Sequence, residues 1–439
     1  MLNFTLIEEL SKERFFLKKE RLLNILERAL NLKTLSLEDA AYLLSVNTEE
    51  DLKLIQQSSL TLKRKVFGDR VVLFAPLYLS NECVNKCLYC GFQNGNTYEK
   101  RKTLTKQEAL KEADFLVKRG FKRALLVTAE NSNICGVDYI TDVIRYLYER
   151  SGLRILHLNA APMEIEELRA IKKEGVGVFQ LFQETYHKET YERLHIKGRK
   201  KSFEYRLLAM TRAIEAGFQD VGIGALLGLY DYKFDVLACI AHSYFLKEHY
   251  GTFPHTISVP RFRYARGAVI ESPPAPVDDI TFKKIVAVYR LAVPTAGIVV
   301  STREPSGLRD DILCYGASQI SAESKTSPGG YTQLVKEEDA SQFSLNDTRS
   351  LEEVIISILE KGFLPSFCTA CYKKERVGEN FHKLAEKGVI KDFCSKNALY
   401  TFYEYLDNLE NKDAREKIIS IGKQKKVLSE DLVFKGKLL

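Results

Sequence analysis

The sequence contains no tryptophan, and only three methionines and 11 prolines occur among its 439 residues. It also lacks any run of roughly 20 uncharged apolar residues, the length that a membrane-spanning helix needs. Its first residues, MLNFTLIEELSKERFFLKKE, mix acids and bases and have no apolar stretch like that of a signal peptide. These absences argue against a membrane protein and a secreted one, so we expect a cytoplasmic protein without a membrane partner.

Charge of one sign is not in large excess either. Lys and Arg number 65 against 58 Asp and Glu, which gives a net charge of +7. The basic residues are spread along the chain, so we expect an ordinary solvated surface and no nucleic-acid partner. With 45% hydrophobic and 28% charged residues, the composition is that of a globular enzyme.

The hydrophobic pattern changes near residue 70. Before it, Leu and Ile recur at helical spacing, and Ser36 with Asp39 predicts a helix start. After it, eight short apolar runs alternate with amphipathic segments; they are residues 71–77, 123–129, 154–160, 177–182, 220–226, 255–260, 297–302 and 317–321. Eight buried strands alternating with helices favour an α/β fold, a (β/α)8 barrel of the TIM type.

Three regions follow from this pattern. We expect an N-terminal helical extension over residues 1–70, the barrel over residues 71–350, and a C-terminal domain over residues 351–439. The sequence pattern of the last region predicts helices around a second group of cysteines.

Six of the nine cysteines form two clusters. The first is Cys83-x3-Cys87-x2-Cys90, and the second is Cys368-x2-Cys371-x22-Cys394. Cysteines at such short intervals in a cytosolic chain favour metal binding over disulfides. Each cluster supplies three thiolates to a cubane of four irons, so one iron of each cubane is left without a protein cysteine.

Zinc is the alternative at both clusters. A structural zinc site is closed by four nitrogen or sulfur ligands, and the first cluster has no fourth ligand nearby. At the second cluster, His382 lies between Cys371 and Cys394 and can complete a tetrahedron. Otherwise we expect His382 on the surface of a helix.

Polar residues follow several of the predicted strands, where the active site of an α/β barrel lies. Glu130 follows the second strand, Glu184 follows the fourth, and Arg206 begins the next helix. Arg303 follows the seventh strand and can hold a carboxylate with two hydrogen bonds. Ser324 begins a segment rich in glycine and hydroxyl groups, which suits either a polar ligand or a barrel-closing turn. A surface ion pair is the alternative for Glu184 and Arg206.

The first cysteine cluster, followed by Gly91, resembles that of the radical S-adenosylmethionine (SAM) superfamily. The resemblance implies a 4Fe-4S cluster whose open iron binds SAM and whose electron generates a 5′-deoxyadenosyl radical. It also implies cofactor-binding roles for Tyr89, Glu130, Glu184 and Arg206. The chain has Thr128 and Ala129 where the superfamily often has two glycines, which is a departure at the contact with the methionine amine.

Longer motifs resemble the aromatic-amino-acid lyase branch of that superfamily. They are LYLSNECVNKCLYCGF, LFQETYHKETYERLH, GIGALLGLYDYKFD, PHTISVPR, STRE and ESKTSPGGY. This branch includes the tyrosine lyase of thiazole synthesis and the tyrosine lyase that matures FeFe-hydrogenase. The C-terminal stretch from Phe367 to Leu399 resembles the auxiliary cluster domain of the maturase.

The resemblance to the maturase implies a two-stage reaction. L-tyrosine is split at its Cα–Cβ bond to p-cresol and dehydroglycine, and dehydroglycine is then converted to carbon monoxide and cyanide on iron for the hydrogenase active-site cluster. Catalytic roles fall to Arg303 and Ser324. A second 4Fe-4S cluster on Cys368, Cys371 and Cys394 carries an extra iron that His255 helps to hold.

Partners and alternatives complete the hypothesis. The resemblance implies an electron donor such as a ferredoxin or flavodoxin, together with other hydrogenase maturation proteins. The first alternative is a 2-iminoacetate synthase of thiazole biosynthesis, which stops at dehydroglycine. The second is a non-catalytic iron–sulfur or zinc carrier. Glu323 and Lys325 depart from the expected pattern beside Ser324, which points to a possible change of substrate.

Overall fold

Helices precede the first strand, as the sequence predicts. The computed structural model describes residues 2–333 and 341–428. The first helices are α1 (Phe4–Lys12), α2 (Lys19–Leu30), α3 (Leu37–Ser45) and α4 (Glu49–Phe67). Ser36 caps α3 as predicted, because its hydroxyl accepts from the backbone N–H of Asp39 while the Asp39 carboxylate accepts from that of Ser36. Gly68, with φ of +67°, ends α4.

Eight parallel strands close into a barrel. In chain order the strands are β1 (Arg70–Ser80), β2 (Lys86–Cys87), β3 (Arg123–Thr128), β4 (Ile155–Asn159), β5 (Val178–Gln180), β6 (His195–Lys197), β7 (Asp220–Gly224), β8 (Thr256–Ser258), β9 (Gly297–Val300), β10 (Gln319–Ser321) and β11 (Leu364–Ser366). The barrel order is β1-β3-β4-β5-β7-β8-β9-β10, and β10 pairs back onto β1. All eight predicted strands are confirmed. The remaining β2 and β6 form a small antiparallel ribbon.

Helices connect the barrel strands on the outside, as the alternation of apolar runs with amphipathic segments predicts. They are α5 (Lys106–Lys118), α6 (Ser132–Cys135), α7 (Val137–Arg150), α8 (Ile165–Lys173), α9 (Lys188–Leu194), α10 (Phe203–Leu207), α11 (Ala209–Glu215), α12 (Tyr232–Tyr250), α13 (Asp279–Ala292) and α14 (Ser306–Ile312). Short 3₁₀ turns cover Arg199–Lys201 and Leu313–Tyr315.

The two faces of β1 contact different parts of the protein. Val71, Leu73 and Ala75 are buried against the helices in the main hydrophobic core. Residues of the other parity, such as Val72 and Phe74, face the barrel interior and line cavities there. This alternation follows from the two-residue repeat of a strand. It places the candidate site inside the barrel.

The C-terminal region is largely helical, as expected. Its helices are α15 (Leu351–Glu360), α16 (Ala370–Lys373), α17 (Gly378–Glu386), α18 (Ile390–Asp407) and α19 (Lys412–Gln424). The sequence did not predict β11, which pairs in parallel with the start of β1 and brings Ser366 opposite Val72. Residues 429–439 of the predicted C-terminal domain lie outside the described residues.

Within the described part of the chain, no helix is both long and apolar enough to cross a membrane.

Candidate active site

The first cysteine cluster lies in the loop that follows β1, at the C-terminal end of the barrel. Cys87 belongs to the ribbon strand β2, while Cys83 and Cys90 flank it. All three are free thiols on the wall of one cavity. The loop packs tightly here, because a Cβ on Gly91 would collide with the backbone oxygen of Ser341. The glycine after the last cysteine is therefore a steric requirement.

This cavity, which we call the upper cavity, has a volume of about 190 Å³. It lies inside the C-terminal end of the barrel and is bounded by side chains from strand ends and from the loops after them. The predicted residues that line it are Cys83, Cys87, Cys90, Tyr89, Glu130, Glu184, Arg206, Arg303 and Ser324. The structure thus gathers in one place the residues that the sequence assigns to the cofactor and the substrate.

Burial controls the ionisation of the cysteine thiols. It raises the pKa of Cys90 to about 11 and raises that of Cys87 still further, although Lys200 opposes both shifts. A thiol binds metal as its thiolate. Cys87 and Cys90 therefore need a cation to hold them deprotonated, and the three sulfurs of this cluster suit an iron–sulfur cluster with one open iron.

Glu184 is held between two cations. Lys200 Nζ donates to Glu184 Oε1 at 2.6 Å, and Arg206 Nη2 donates to the same oxygen at 3.2 Å. Burial by itself would raise the pKa of Glu184, but Lys200 and Arg206 outweigh it and lower the pKa to about 2. Glu184 and Arg206 are buried, so the alternative of a surface ion pair is wrong.

The backbone at Glu184 is also unusual. Its φ is +73°, a left-handed conformation that side chains other than glycine seldom adopt. Strain of this kind persists where surrounding contacts fix the residue, and it is common at functional sites. The carboxylate is thus held in place by its backbone as well as by its two cationic partners.

Glu130 is tied to the cysteine loop through Asn85. The Asn85 side-chain amide donates to Glu130 Oε2 at 2.7 Å, and its oxygen accepts from the backbone N–H of Lys200 at 3.1 Å. Asn85 lies between Cys83 and Cys87, so it connects the loops that follow β1, β3 and β6. The Thr128–Ala129 departure leaves this carboxylate at the cavity.

Tyr89 is buried beside a neutral histidine. The Tyr89 hydroxyl lies 2.8 Å from His195 Nε2, and His195 Nδ1 lies 2.7 Å from the backbone oxygen of Tyr191. Burial and the nearby Lys200 lower the pKa of His195 to about 3. The imidazole is therefore neutral, donates to Tyr191 and accepts from Tyr89, which fixes the tyrosine ring at the cavity wall.

Arg303 follows β9 and lines the upper cavity. Its guanidinium stacks 3.3 Å from the ring centre of Phe343, and burial lowers its pKa. Ser324 lines the same cavity, and its buried hydroxyl has no hydrogen-bond partner among the described residues. A half-buried guanidinium and a buried, unpaired hydroxyl suit a polar, anionic ligand.

The second cysteine cluster lies at the N-terminal end of the barrel. Cys368, Cys371 and Cys394 line a separate cavity of about 50 Å³, here called the lower cavity, together with His255. Cys394 comes from α18, and the other two follow β11. The structure therefore brings His255 to the second cysteine cluster, as predicted.

Cationic side chains surround these thiols. Arg70 and Arg123 both line the lower cavity, and Arg123 also donates to the backbone oxygen of Cys368. A hydrogen bond from Cys371, with Arg70 beside it, lowers the pKa of Cys394 to about 5, whereas the same hydrogen bond and burial raise the pKa of Cys371. Three thiols, one of them favoured as a thiolate, beside two arginines fit a second iron–sulfur cluster.

His255 is backed by a buried carboxylate. Its Nδ1 lies 3.4 Å from Oδ2 of Asp220, which is 1% exposed. The other Asp220 oxygen accepts from the backbone N–H of Gly378 at 2.7 Å. A carboxylate behind an imidazole is a common way to orient a metal-binding histidine.

His382 is not the surface residue that the sequence predicts. It is fully buried, and its Nδ1 lies 2.7 Å from the Thr295 hydroxyl. It packs between the rings of Phe253 and Phe381 and does not line the lower cavity. The hydrophobic face of α17 turns inward against the barrel, which explains the error.

The described residues include no group of three or more His, Cys, Asp or Glu side chains arranged around a single metal ion. A structural zinc site needs four ligands converging on one ion. The three thiols at each site match the number of ligands that a cubane with one open iron takes from the protein.

The sequence analysis did not identify several residues of the site. Lys200, Asn85, Arg70 and Asp220 all contact predicted residues, yet the sequence analysis gave none of them a role. Only Asn85 carried a positional signal, since it lies inside the first cysteine cluster. The others reach the site from strands or loops that only the folded barrel brings together.

Family models match most of the barrel. The model of the Radical SAM superfamily matches residues 77–237, and that of the Biotin and Thiamin Synthesis associated domain matches residues 258–364. The 2-iminoacetate synthase of Salmonella typhimurium is 35% identical over 340 residues, 77% of this chain and 88% of that protein. The [FeFe] hydrogenase maturase subunit HydE of Thermotoga maritima is 29% identical over 284 residues, 62% of this chain and 75% of that protein.

Solved structures extend the likeness into the C-terminal region. The crystal structure of HydG, a maturase of the [FeFe]-hydrogenase, matches with a TM-score of 0.91 and 40% identity, covering 98% of this chain and 94% of that one. HydG from Carboxydothermus hydrogenoformans matches with a TM-score of 0.85 and 38% identity, covering 97% of this chain and 95% of that one.

Proposed function

Because the chain belongs to the radical SAM superfamily of enzymes, we propose that it splits L-tyrosine and converts the two-carbon product to carbon monoxide and cyanide on iron. Cleavage of tyrosine at the Cα–Cβ bond gives p-cresol and dehydroglycine, which together hold all its atoms. Dehydroglycine, HN=CH–COOH, then gives carbon monoxide, hydrogen cyanide and water, again without loss of atoms. The iron that receives these products is destined for a hydrogenase active site.

The upper cavity is the proposed tyrosine site. Cys83, Cys87 and Cys90 would hold the 4Fe-4S cluster, which together with SAM supplies a 5′-deoxyadenosyl radical when bound. Glu184 and Glu130 offer acceptors for the amine and ribose of SAM, and Arg206 offers a donor for its carboxylate. Tyr89 closes the wall behind the cluster.

Arg303 and Ser324 are the proposed substrate residues. The guanidinium can bind the tyrosine carboxylate with two hydrogen bonds, and its stack on Phe343 limits its orientation. The Ser324 hydroxyl is unpaired and lies on the same cavity, so it is free to contact the substrate. Both groups then orient tyrosine for cleavage, and the buried cavity excludes water from the imine product.

The second cysteine cluster is the observation that carries the second stage. Cys368, Cys371 and Cys394 share the lower cavity with His255, which supplies an imidazole suited to an extra iron. The two HydG structures cover 97% or more of this chain, which includes most of the C-terminal region. This coverage supports a second cluster site and hence the conversion to carbon monoxide and cyanide.

One experiment tests both stages. The anaerobically reconstituted protein is supplied with tyrosine, SAM and dithionite, and p-cresol, carbon monoxide and cyanide are measured. All three products are expected from the unaltered protein. Cys371→Ala should spare p-cresol and abolish carbon monoxide, while the matched control Cys314→Ala, outside both cavities, should form all three. Absence of p-cresol from the unaltered protein would refute the tyrosine lyase.

A 2-iminoacetate synthase is the second candidate. The 35% identity to the Salmonella typhimurium enzyme over 88% of its length favours it. In that case the reaction stops at dehydroglycine, and p-cresol appears without carbon monoxide or cyanide. The same assay distinguishes the two candidates.

A further inference from the structure

Three segments around the upper cavity form one continuous surface, which we call the mouth surface. They are residues 80–102, 193–201 and 262–271. The ribbon pairs Lys86 with Lys197, and the Leu88 N–H donates to the Leu194 oxygen at 3.0 Å. The N–H groups of Val269 and Ile270 both donate to the Leu88 oxygen, at 2.8 and 2.9 Å. These bonds join the loops after β1, β5 and β8 into one face.

Positive charge is concentrated on this surface. Its three segments carry eleven Lys and Arg residues against three Asp and Glu residues, whereas the whole chain has a net charge of only +7. Four of these cations pair with carboxylates outside the segments, namely Lys102 with Glu108, Arg199 with Glu164, Lys200 with Glu184 and Arg263 with Glu304, so a smaller excess of positive charge remains. Sequence order hides this, because the three segments are far apart along the chain.

Many of these cations point outward. Four exposed cations lie in the second segment, namely Arg193, Lys197, Arg199 and Lys201. Lys200 turns into the cavity to bind Glu184, and Lys86, Arg101, Lys102 and Arg263 are only partly exposed. The ribbon region thus contributes Lys200 to the upper cavity, while four of its cations are exposed to solvent.

The same segments expose large apolar side chains. They are Val84, Tyr98, Ile196, Tyr264 and Val269, each between 36% and 58% exposed. Exposed apolar groups next to charges are typical of a protein-binding surface. A surface that served only to attract small anions or nucleic-acid phosphates would not need them.

We propose that the mouth surface docks an acidic one-electron donor protein, whose negative face pairs with the exposed cations around the ribbon. The inference rests on the proposed function, which needs one electron delivered at the first cysteine cluster. Cys87 is itself part of the ribbon, so a partner bound there lies directly over the cluster residues. Opposite charge on the partner speeds association and fixes its orientation.

Charge reversal tests the proposal in the reconstituted full-length enzyme. The variant Arg193→Glu/Lys197→Glu/Lys201→Glu changes three exposed cations that do not line the upper cavity. The matched control is Lys33→Glu/Lys53→Glu/Lys387→Glu, an equal charge change on exposed residues outside the mouth surface. The probe is an acidic flavodoxin reduced to its hydroquinone, and the rate of cluster reduction is followed by stopped-flow absorbance.

At low salt we expect the mouth variant to be reduced by flavodoxin at least about tenfold more slowly than the unaltered enzyme. Its rate should also lose most of its dependence on ionic strength. The control variant should match the unaltered enzyme, and dithionite should reduce all three proteins at similar rates. If the triple variant does not assemble its cluster, Lys197→Glu alone should show a smaller decrease in the same direction.

Equal flavodoxin rates for the mouth and control variants would overturn the proposal. So would unchanged flavodoxin rates together with lost binding to duplex DNA or to anionic vesicles, because that result assigns the surface to another partner. Dithionite-driven p-cresol formation reports on the proposed function separately. Its absence would refute the tyrosine lyase, while the flavodoxin rates would still test the docking surface.

Discussion

Replacing Glu184 by Gln removes the only carboxylate that hydrogen-bonds both Lys200 and Arg206 among the described contacts. Those cations lower its pKa from 4.5 to about 2, although burial acts in the opposite direction. A shift of roughly 2.5 units corresponds to roughly 3 kcal/mol of stabilisation. Glu184 is only 9% exposed, so solvent screens little of this energy. The variant should therefore lose about 3 kcal/mol of unfolding free energy at pH 7.

The same shift predicts a pH dependence. Because the folded pKa of Glu184 lies below the ordinary value of 4.5, its stabilisation is complete above about pH 4.5. It is lost progressively as the pH falls from about 4.5 to about 2, because in this range the unfolded chain takes up the proton and the folded carboxylate does not. The stability of Glu184→Gln should lack this component and fall less steeply than that of the unaltered protein over the same range.

Urea unfolding of the cluster-free protein measures both effects. Far-UV circular dichroism is the suitable signal, since the chain has no tryptophan to report by fluorescence. Glu130→Gln is the matched control, because Glu130 is half-buried and its contact is to the neutral Asn85 amide. We expect the control to change stability by less than about 1 kcal/mol. A loss below that value for Glu184→Gln as well would refute the reasoning.

Three further changes test other parts of the site. Arg303→Lys removes the two-pronged donor, and we expect roughly 10- to 100-fold lower kcat/KM for tyrosine, measured by p-cresol formation, with little change in SAM binding. Asp220→Asn removes the carboxylate behind His255, so extra-iron affinity at the second cluster, measured by iron analysis and spectroscopy, should fall about 10- to 100-fold while p-cresol is spared. Gly378→Ala adds a Cβ 3.0 Å from the Gln219 backbone oxygen at a φ of +53°, and urea unfolding should show a loss of about 1–2 kcal/mol. Unchanged values in these assays would contradict the corresponding assignment.

The barrel was predictable because its strands are short apolar runs with distinct ends. In a sequence, a buried parallel strand is recognised mainly by such an apolar run. The eight runs therefore identified the eight strands. β11 was not predicted because the segment Leu364–Ser366 has only three residues, one of them proline. Neither its length nor its composition is typical of a strand. It pairs only at the edge of β1, where no barrel neighbour is present at that level.

The candidate site was predictable where chemistry requires a particular residue type at a fixed spacing. Cysteines at short intervals are such a signal, and so is an arginine directly after a strand. Residues that reach the site only through the tertiary fold carry no such sequence signal. Lys200 contacts Glu184, which is 16 residues away in the sequence, and Arg70 lies beside Cys394 only because of packing. The prediction for His382 was wrong for the same reason, because its burial depends on which face of α17 meets the barrel.

The two cavities lie one above the other along the barrel axis. On β1, Arg70 and Val72 line the lower cavity, whereas Phe74, Pro76 and Tyr78 line the upper one. Inward-facing residues of a strand follow each other at intervals of about 6–7 Å. The last lower-cavity residue and the first upper-cavity residue of β1 are therefore one such interval apart. In the proposed function, this spacing sets the distance that a small imine has to travel inside the barrel, away from the water that would hydrolyse it.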